Sequence, residues 1–366
     1  MAKSNRLHYI GFPVALVYGI VVWIRNLFFH INLLPSQQYA IPVICIGNLS
    51  MGGAGKTPMV EYLIRLLSKK YRVAVLSRGY KRRTSGYVLA GNHCTGQEVG
   101  DEACQIKRKY PSIIVAVDKS RRRGMKHLLA MTESERPQVV LLDDAFQHRY
   151  VQPSLSILVT DYNHLFYKDK LFPVGMLREP ASSVYRADFV VVSKCDPTLK
   201  PIDCRIVEDD MHLQSHQQVF FSGISYLRME GVWPEECGPR ALSSLRKDDE
   251  VLLLTGVANP SPLIEEMKKH SQNVNVMSFG DHHDFKKKDV KKISASFVKM
   301  NSEALIVCTE KDAVRIRNNP YFPLEWHSHM YYVPIEVSFL FDKGNLFDEP
   351  ILKHISTMES SRVLRQ

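Results

Sequence analysis

The sequence predicts an α/β protein with two parallel-sheet domains, the second smaller, joined by an extended two-stranded connector and preceded by an apolar helix. Three observations predict it. An apolar, β-branched run at 41–47 breaks into a glycine-rich turn and resumes as a helical pattern at 59–67. Strand-like apolar runs then alternate with helical segments, the pattern of a parallel sheet covered on both faces. At 217–239 the alternation gives way to a long extended run and a Gly/Pro/Cys-rich stretch, after which a second β/α set begins. The predicted divisions are an N-terminal helix at 1–35, the larger domain at 36–228, the smaller domain with its connector strands at 229–345, and an unassigned tail at 346–366.

The turn after the first strand reads Ser50, Met51, Gly52, Gly53, Ala54, Gly55, Lys56, Thr57. Glycines at 52, 53 and 55 permit positive φ and bring successive N–H groups onto an anion, while the following helix aims its positive end at the same place. In such a loop Lys56 reaches the β- and γ-phosphates of a nucleotide and the Thr57 hydroxyl ligates Mg²⁺. The usual P-loop NTPase pattern has a glycine where this chain has Ser50, so the match rests on the Gly-Lys-Thr core behind a strand.

With 366 residues and 45% apolar content, the chain can bury two cores. A formal charge of +10 suits a polyanion: nucleic acid, an anionic membrane or a phosphorylated substrate. Seven scattered cysteines without a CxxC pair argue against a disulfide framework or a zinc ribbon and fit a reducing compartment. Residues 9–24 carry no charge, with Lys3 and Arg6 before them and Arg25 after. The run is shorter than the roughly 20 residues that span a bilayer and has no convincing cleavage site, so an interfacial helix is predicted. A core helix is its alternative. Pro13 is read as lying in the first helical turn, where it costs little.

A second strand at 72–77 leads into the basic loop of Arg78, Tyr80 and Arg82, placed at a carboxyl-terminal strand end where open parallel sheets gather ligands. Taken alone, the loop reads as solvated surface. Asp101 and Glu102 open a helix, where their charge favours the dipole whether or not they do chemistry. Strands at 112–117 and 138–142 follow, the second ending in Asp143, a carboxylate suited to fix Mg²⁺ opposite the phosphate loop. Further strands fall at 155–161 and 189–193. The tip Ser193-Lys194-Cys195-Asp196 resembles a GTPase base-reading loop with serine in place of asparagine. In the second domain, adjacent His282 and His283 would point to opposite faces of a strand, so one functional histidine is favoured over two metal ligands. The run at 330–341 is expected to pair back with the extended run near Val219.

Together these motifs resemble the tetraacyldisaccharide 4′-kinase family of Gram-negative bacteria. The resemblance rests on the 47–58 loop, Leu76-Ser77-Arg78-Gly79-Tyr80, Val99-Gly100-Asp101-Glu102, Asp143 to His148, Leu177-Arg178-Glu179-Pro180, Asp281-His282 and Thr309 to Val314. Ala145 and Ala103 depart from the family's usual glycine and proline without removing a functional group. The resemblance implies transfer of the ATP γ-phosphate, with Mg²⁺, to the 4′-hydroxyl of an acylated disaccharide 1-phosphate lipid. It implies a peripheral enzyme at the cytoplasmic leaflet of the inner membrane and no nucleic-acid partner. By the same resemblance Asp101 is the candidate base, assisted by His282. Glu102 and Glu179 join Thr57 and Asp143 around the metal, and Arg78, Tyr80, Arg121, His148 and Arg178 meet substrate phosphate or the triphosphate. The rival reading is a membrane-recruited P-loop GTPase switch or metallochaperone. A nucleic-acid-binding ATPase lacks any recognisable DNA or RNA module.

Overall fold

The structure, a computed structural model, describes residues 2–281 and 283–363. Its strands in chain order are β1 Val43–Gly47, β2 Val73–Ser77, β3 Val88–Leu89, β4 Ile114–Val117, β5 Val139–Asp143, β6 Leu155–Asp161 and β7 Phe189–Ser193. They continue with β8 Gln218–Tyr226, β9 Glu230–Gly231, β10 Glu250–Thr255, β11 Asn273–Ser278, β12 Leu305–Thr309, β13 Met330–Val333 and β14 Ile335–Phe339. The helices are α1 Ala2–His30, α2 Lys56–Leu67, α3 Gly96–Val99, α4 Asp101–Lys109, α5 Arg121–Leu129, α6 Pro201–Asp210, α7 Ser261–His270, α8 Lys287–Phe297, α9 Glu310–Arg317 and α10 Gly344–Val363.

The larger sheet runs β14-β8-β7-β6-β1-β5-β2-β4-β3. Its seven central strands are mutually parallel, and β3 and β14 are antiparallel edges. Alternate residues of each central strand enter opposite cores, as a period of two requires: Ile44, Val75 and Leu141 on one face, Cys45, Leu76 and Leu142 on the other. Helix α2 covers the first face with Met59, Leu63 and Leu67, and α5 covers the second with Met125 and Leu128. The smaller sheet runs β11-β10-β12-β13-β9, parallel except for β9.

The connector pairs as predicted, but as an edge of the larger sheet rather than a free ribbon. The first half of β8 pairs with β7, while its second half takes β14 antiparallel from Tyr226↔Ile335 to Ser222↔Phe339. The 330–341 run is thus divided between two sheets, with Pro334 alone separating β13 from β14. Proline has no N–H to donate, so it fits this step between ladders.

Two segments differ from the sequence reading. The 346–366 tail is mostly helix: α10 buries Phe347, Ile351 and Ile355, spaced i, i+4, i+8, completely in the larger core. Phe347 meets Phe220 edge-on at 5.1 Å and Phe339 at 4.6 Å. Pro350 inside the helix and the charged residues around it obscured that stripe. At the other end, α1 begins at Ala2, so Pro13 lies inside the helix rather than in its first turn. The apolar stretch extends through Arg25 as Gly11–His30, 20 residues of mean hydropathy 1.7, long enough to cross a bilayer by length and composition. Phe12, Leu16, Val17, Val21 and Trp23 are exposed, while Val22 and Phe29 are buried against the larger domain.

Because Phe347 is fully buried in the larger core, Phe347→Ala is expected to lower unfolding free energy by roughly 3–5 kcal/mol in urea denaturation. A loss under about 1 kcal/mol would contradict its assignment to the core.

Candidate active site

Strand β1 lies at the sheet centre between β5 and β6. It ends at Gly47, where a Cβ would come within 2.5 Å of Phe146, so only glycine lets the strand pass. Buried Asn48 follows and shapes the turn: its Nδ2 donates to the Ser50 carbonyl at 2.6 Å and its Oδ1 accepts from Lys56 Nζ at 2.9 Å. Ser50 pairs antiparallel with Leu177, and the Met51 N–H donates to the Met176 carbonyl at 2.7 Å. The first half of the loop is therefore anchored to the 176–178 segment. Gly52 and Gly55 adopt φ of 105° and 84°, and around Gly52 and Gly53 the space a Cβ would enter is open. The Ala54 carbonyl accepts from Ser193 Oγ at 2.8 Å, and Lys56 and Thr57 open α2. The loop leaves backbone room and a helix N-terminus where a phosphate chain fits.

Asp143 ends β5 beside Ile46 of β1. Burial, with the Asp144 and Glu102 carboxylates nearby, pushes its carboxyl up to about 6 despite Lys56 and Arg121. A buried carboxylate with negative neighbours is a hard oxygen donor that a divalent cation fits. Among the described residues no group of three or more His, Cys, Asp or Glu is arranged to hold a metal ion. Asp144 has φ of 48°, a conformation aspartate tolerates better than most residues. Its Oδ1 lies 3.3 Å from Lys56 Nζ and 3.0 Å from Arg178 Nη1. Burial would raise this carboxyl, but Lys56 and Arg178 hold it below its ordinary value.

Helix α4 brings Asp101 and Glu102 to the junction with the smaller domain. Arg315 of α9 donates from Nε and Nη2 to Asp101 Oδ2, both at 2.9 Å, and Lys311 of the same helix lies 3.1 Å from Glu102. Arg315 is itself anchored on buried Asp312 at 3.1 Å, and Asp312 accepts from the Gly256 N–H at 2.8 Å. His282 lies outside the described residues. Its neighbour His283 is committed to the smaller domain, stacked on Phe279 at 4.9 Å and 3.0 Å from Asp289 Oδ2. Of the two histidines, His283 is thus a structural one.

Three residues expected at the site make further contacts within this structure. Glu179, expected near the metal, is buried in an ion pair with Arg186 and faces Arg25 of α1 at 3.6 Å. Its Oε2 accepts from Arg186, while the buried Oε1 has no hydrogen-bond partner among the described residues. Arg121, expected to meet substrate, is almost fully buried and donates to the Asp118 carbonyl at 2.9 Å and the Asp143 carbonyl at 3.1 Å, tying together the ends of β4 and β5. His148 accepts from the Arg121 N–H at 3.3 Å. Burial and the cations Arg121, Arg25 and Arg78 push its pKa down to about 4, so near pH 7 it is neutral and adds no positive charge. Arg78 and Tyr80 stay exposed on the loop after β2, with the Arg78 charge felt by both Arg121 and His148. Sequence reasoning passed over Asn48, Asp144 and Arg315. The first two stand next to assigned residues, and the third sits at i+3 from Asp312, the only local sign of its role.

A parallel sheet whose central strand runs through a glycine cradle into a helix, with an adjacent strand tipped by aspartate, defines a P-loop nucleotide-binding protein. The family profile described as Tetraacyldisaccharide-1-P 4'-kinase matches residues 7–356. The chain belongs to that family. It is 49% identical over 346 residues to the Tetraacyldisaccharide 4'-kinase of Parabacteroides distasonis, covering 94% of each chain. It is 44% identical over 358 residues to that of Bacteroides thetaiotaomicron, covering 96% of this chain and 94% of the relative. The crystal structure of LpxK from Aquifex aeolicus in complex with ATP aligns at a TM-score of 0.71 and 25% identity, covering 97% of this chain and all of that one.

The Asp143 environment has a consequence for stability. Between the ordinary value of 3.8 and about 6 the native state holds a proton that the unfolded chain has released, so stability falls as pH rises through that window. In Mg²⁺-free, nucleotide-free protein, Asp143→Asn is expected to raise the melting temperature at pH 7.5, with the gain shrinking toward pH 4. Equal melting temperatures at pH 7.5 would show that Asp143 carries no such burden.

Proposed function

We propose that this protein transfers the γ-phosphate of ATP, with Mg²⁺, to the 4′-hydroxyl of a tetraacyldisaccharide 1-phosphate. The observation that carries the reading is the closeness of the Lys56 cradle to the Asp143 tip of β5, with Glu102 of α4 near enough to act on the same carboxylate. Family membership and the ATP complex of the Aquifex aeolicus relative support it.

Phosphoryl transfer asks for positioning and charge neutralisation more than for covalent chemistry by the protein. Ser50 to Thr57 hold the triphosphate, with Lys56 moving from Asp144 and Asn48 toward its terminal oxygens. Thr57, Asp143 and Glu102, with Glu179 as a further carboxylate, would hold Mg²⁺, which would supply charge neutralisation at the phosphates. Asp101 takes the proton of the sugar hydroxyl as its oxygen bonds to phosphorus and ADP leaves. Arg315 fixes the Asp101 carboxylate through two hydrogen bonds, and His282 assists by taking the proton onward. Arg78, Tyr80 and Arg178 grip phosphate oxygens, arginine giving bidentate contacts.

On this reading the enzyme is a peripheral protein of the cytoplasmic leaflet of the inner membrane, with its basic residues near anionic head groups, and the exposed apolar side of α1 supports membrane association. The GTPase reading is weaker. Lys194 is paired with Asp161 at 2.7 Å, and Asp196 closes its own turn onto the Thr198 N–H at 2.7 Å.

Incubation of the protein with labelled ATP, Mg²⁺ and the disaccharide monophosphate in detergent should yield a bisphosphorylated lipid. GTP hydrolysis without any lipid product would overturn the reading. Asp101→Ala should lower turnover by about 10²–10⁴-fold while ATP affinity stays within about threefold. Loss of nucleotide binding with unaltered chemistry would remove its role as base. Val17→Asp with Val21→Asp, both on the exposed side of α1, should weaken sedimentation with phosphatidylglycerol vesicles about tenfold or more. Unchanged partitioning would exclude this face as the membrane contact.

A further inference from the structure

Helix α1 presents two unlike sides. Its outward side is apolar, but the side against the larger domain carries Tyr18, Val22, Arg25, Asn26 and Phe29, spaced i, i+4, i+7, i+8 and i+11, on one face of a helix. Three of these five are polar, and each bonds to a segment that borders the phosphate loop. Tyr18 Oη donates to the Arg178 carbonyl at 2.7 Å, Arg25 Nη2 to the Gln147 carbonyl at 2.7 Å, and Arg149 Nη1 to the Asn26 carbonyl at 3.0 Å.

Two of these contacts continue to the same atom. From Tyr18 the path passes to Arg178, whose N–H donates to the Leu49 carbonyl at 2.7 Å and whose Nη1 lies 3.0 Å from Asp144 Oδ1, itself 3.3 Å from Lys56 Nζ. From Arg25 it passes to Gln147, whose Nε2 donates to the Asn48 carbonyl at 2.8 Å, and Asn48 Oδ1 accepts from Lys56 Nζ at 2.9 Å. Both partners of the phosphate lysine are thus set by segments fastened to α1. Simple anchoring of an apolar helix does not need this, since Val22, Phe29 and the packing of Gly19 against Leu171 already seat it.

We infer that Tyr18 and Arg25 are positioning residues of the nucleotide site, and that α1, the helix offered to the membrane, also sets the geometry in which Lys56 receives the triphosphate. The inference rests on the nucleotide reading of the loop. Coupling of this kind runs both ways: a helix held firmly raises nucleotide affinity, and bound nucleotide steadies the helix.

The test measures binding of a fluorescent ATP analogue to the full-length protein in detergent, without lipid acceptor. Tyr18→Phe removes one hydroxyl and keeps the ring, and Arg25→Gln removes the charge and the long reach. Each should weaken nucleotide binding about 3- to 10-fold, with KM for ATP rising more than kcat falls and the melting temperature within about 3 °C of wild type. Combined with Asp144→Asn, Tyr18→Phe should cost less than it does alone, because both act through the same lysine. Wild type that binds the analogue while Tyr18→Phe and Arg25→Gln bind it equally well would overturn the inference. So would fully additive losses with Asp144→Asn. Wild type that binds no nucleotide would instead overturn the reading of the loop itself.

Discussion

Lys56 is a nearly buried cation, 13% exposed at its side chain, and it cannot stand there unpaired. Asn48 and Asp144 meet that need, and much of the surrounding structure exists to place those two partners. Asn48 is fixed by the end of β1 and by Gln147. Asp144 is turned into a left-handed conformation and gripped by Arg178. The lysine is thereby held between two partners that are themselves fixed, one by a hydrogen bond and one by an ion pair.

The domain junction follows a similar electrostatic logic. Helix α9 sends Lys311 to Glu102 and Arg315 to Asp101, while Glu310 shares Lys109 of α4 with Glu61 of α2 at 3.0 and 2.6 Å. Burial and neighbouring Glu61 push Glu310 up to about 7 even beside Lys109. The junction combines buried groups, Glu61 and Glu310, with half-buried ones, Glu102 and Lys311, and Val314 of α9 packs into the larger core beside them.

The sequence disclosed what is written locally. The phosphate loop, the apolar strands and the Asp143 tip depend on spacing within a dozen residues, and the structure has them in place. Other features depend on partners far along the chain. Nothing near Glu179 signals Arg25, and nothing near Asp101 signals Arg315, since each pair forms only when distant helices meet. Arg121 illustrates a further trap: in a run of three arginines it looks like surface charge, yet its guanidinium is enclosed as a brace between strand ends. Helix α10 was hidden by its proline and charges, and β14 because Pro334 does not by itself say that the 330–341 run passes from one sheet to another. His148 reads as a cation in the sequence because the arginines that keep it neutral arrive from three separate segments.

The order of strands carries a consequence for biosynthesis. Because β14 and α10 belong to the larger sheet but follow the whole of the smaller one, the smaller lobe is an insertion inside its host. A ribosome releases β9 to β13 before it releases the edge strand and the C-terminal helix that close the host's core. The guest lobe is therefore complete in the nascent chain while the nucleotide lobe still lacks Phe347, Ile351 and Ile355, and a chain cut short by thirty residues would leave the catalytic half, not the accessory one, unfinished.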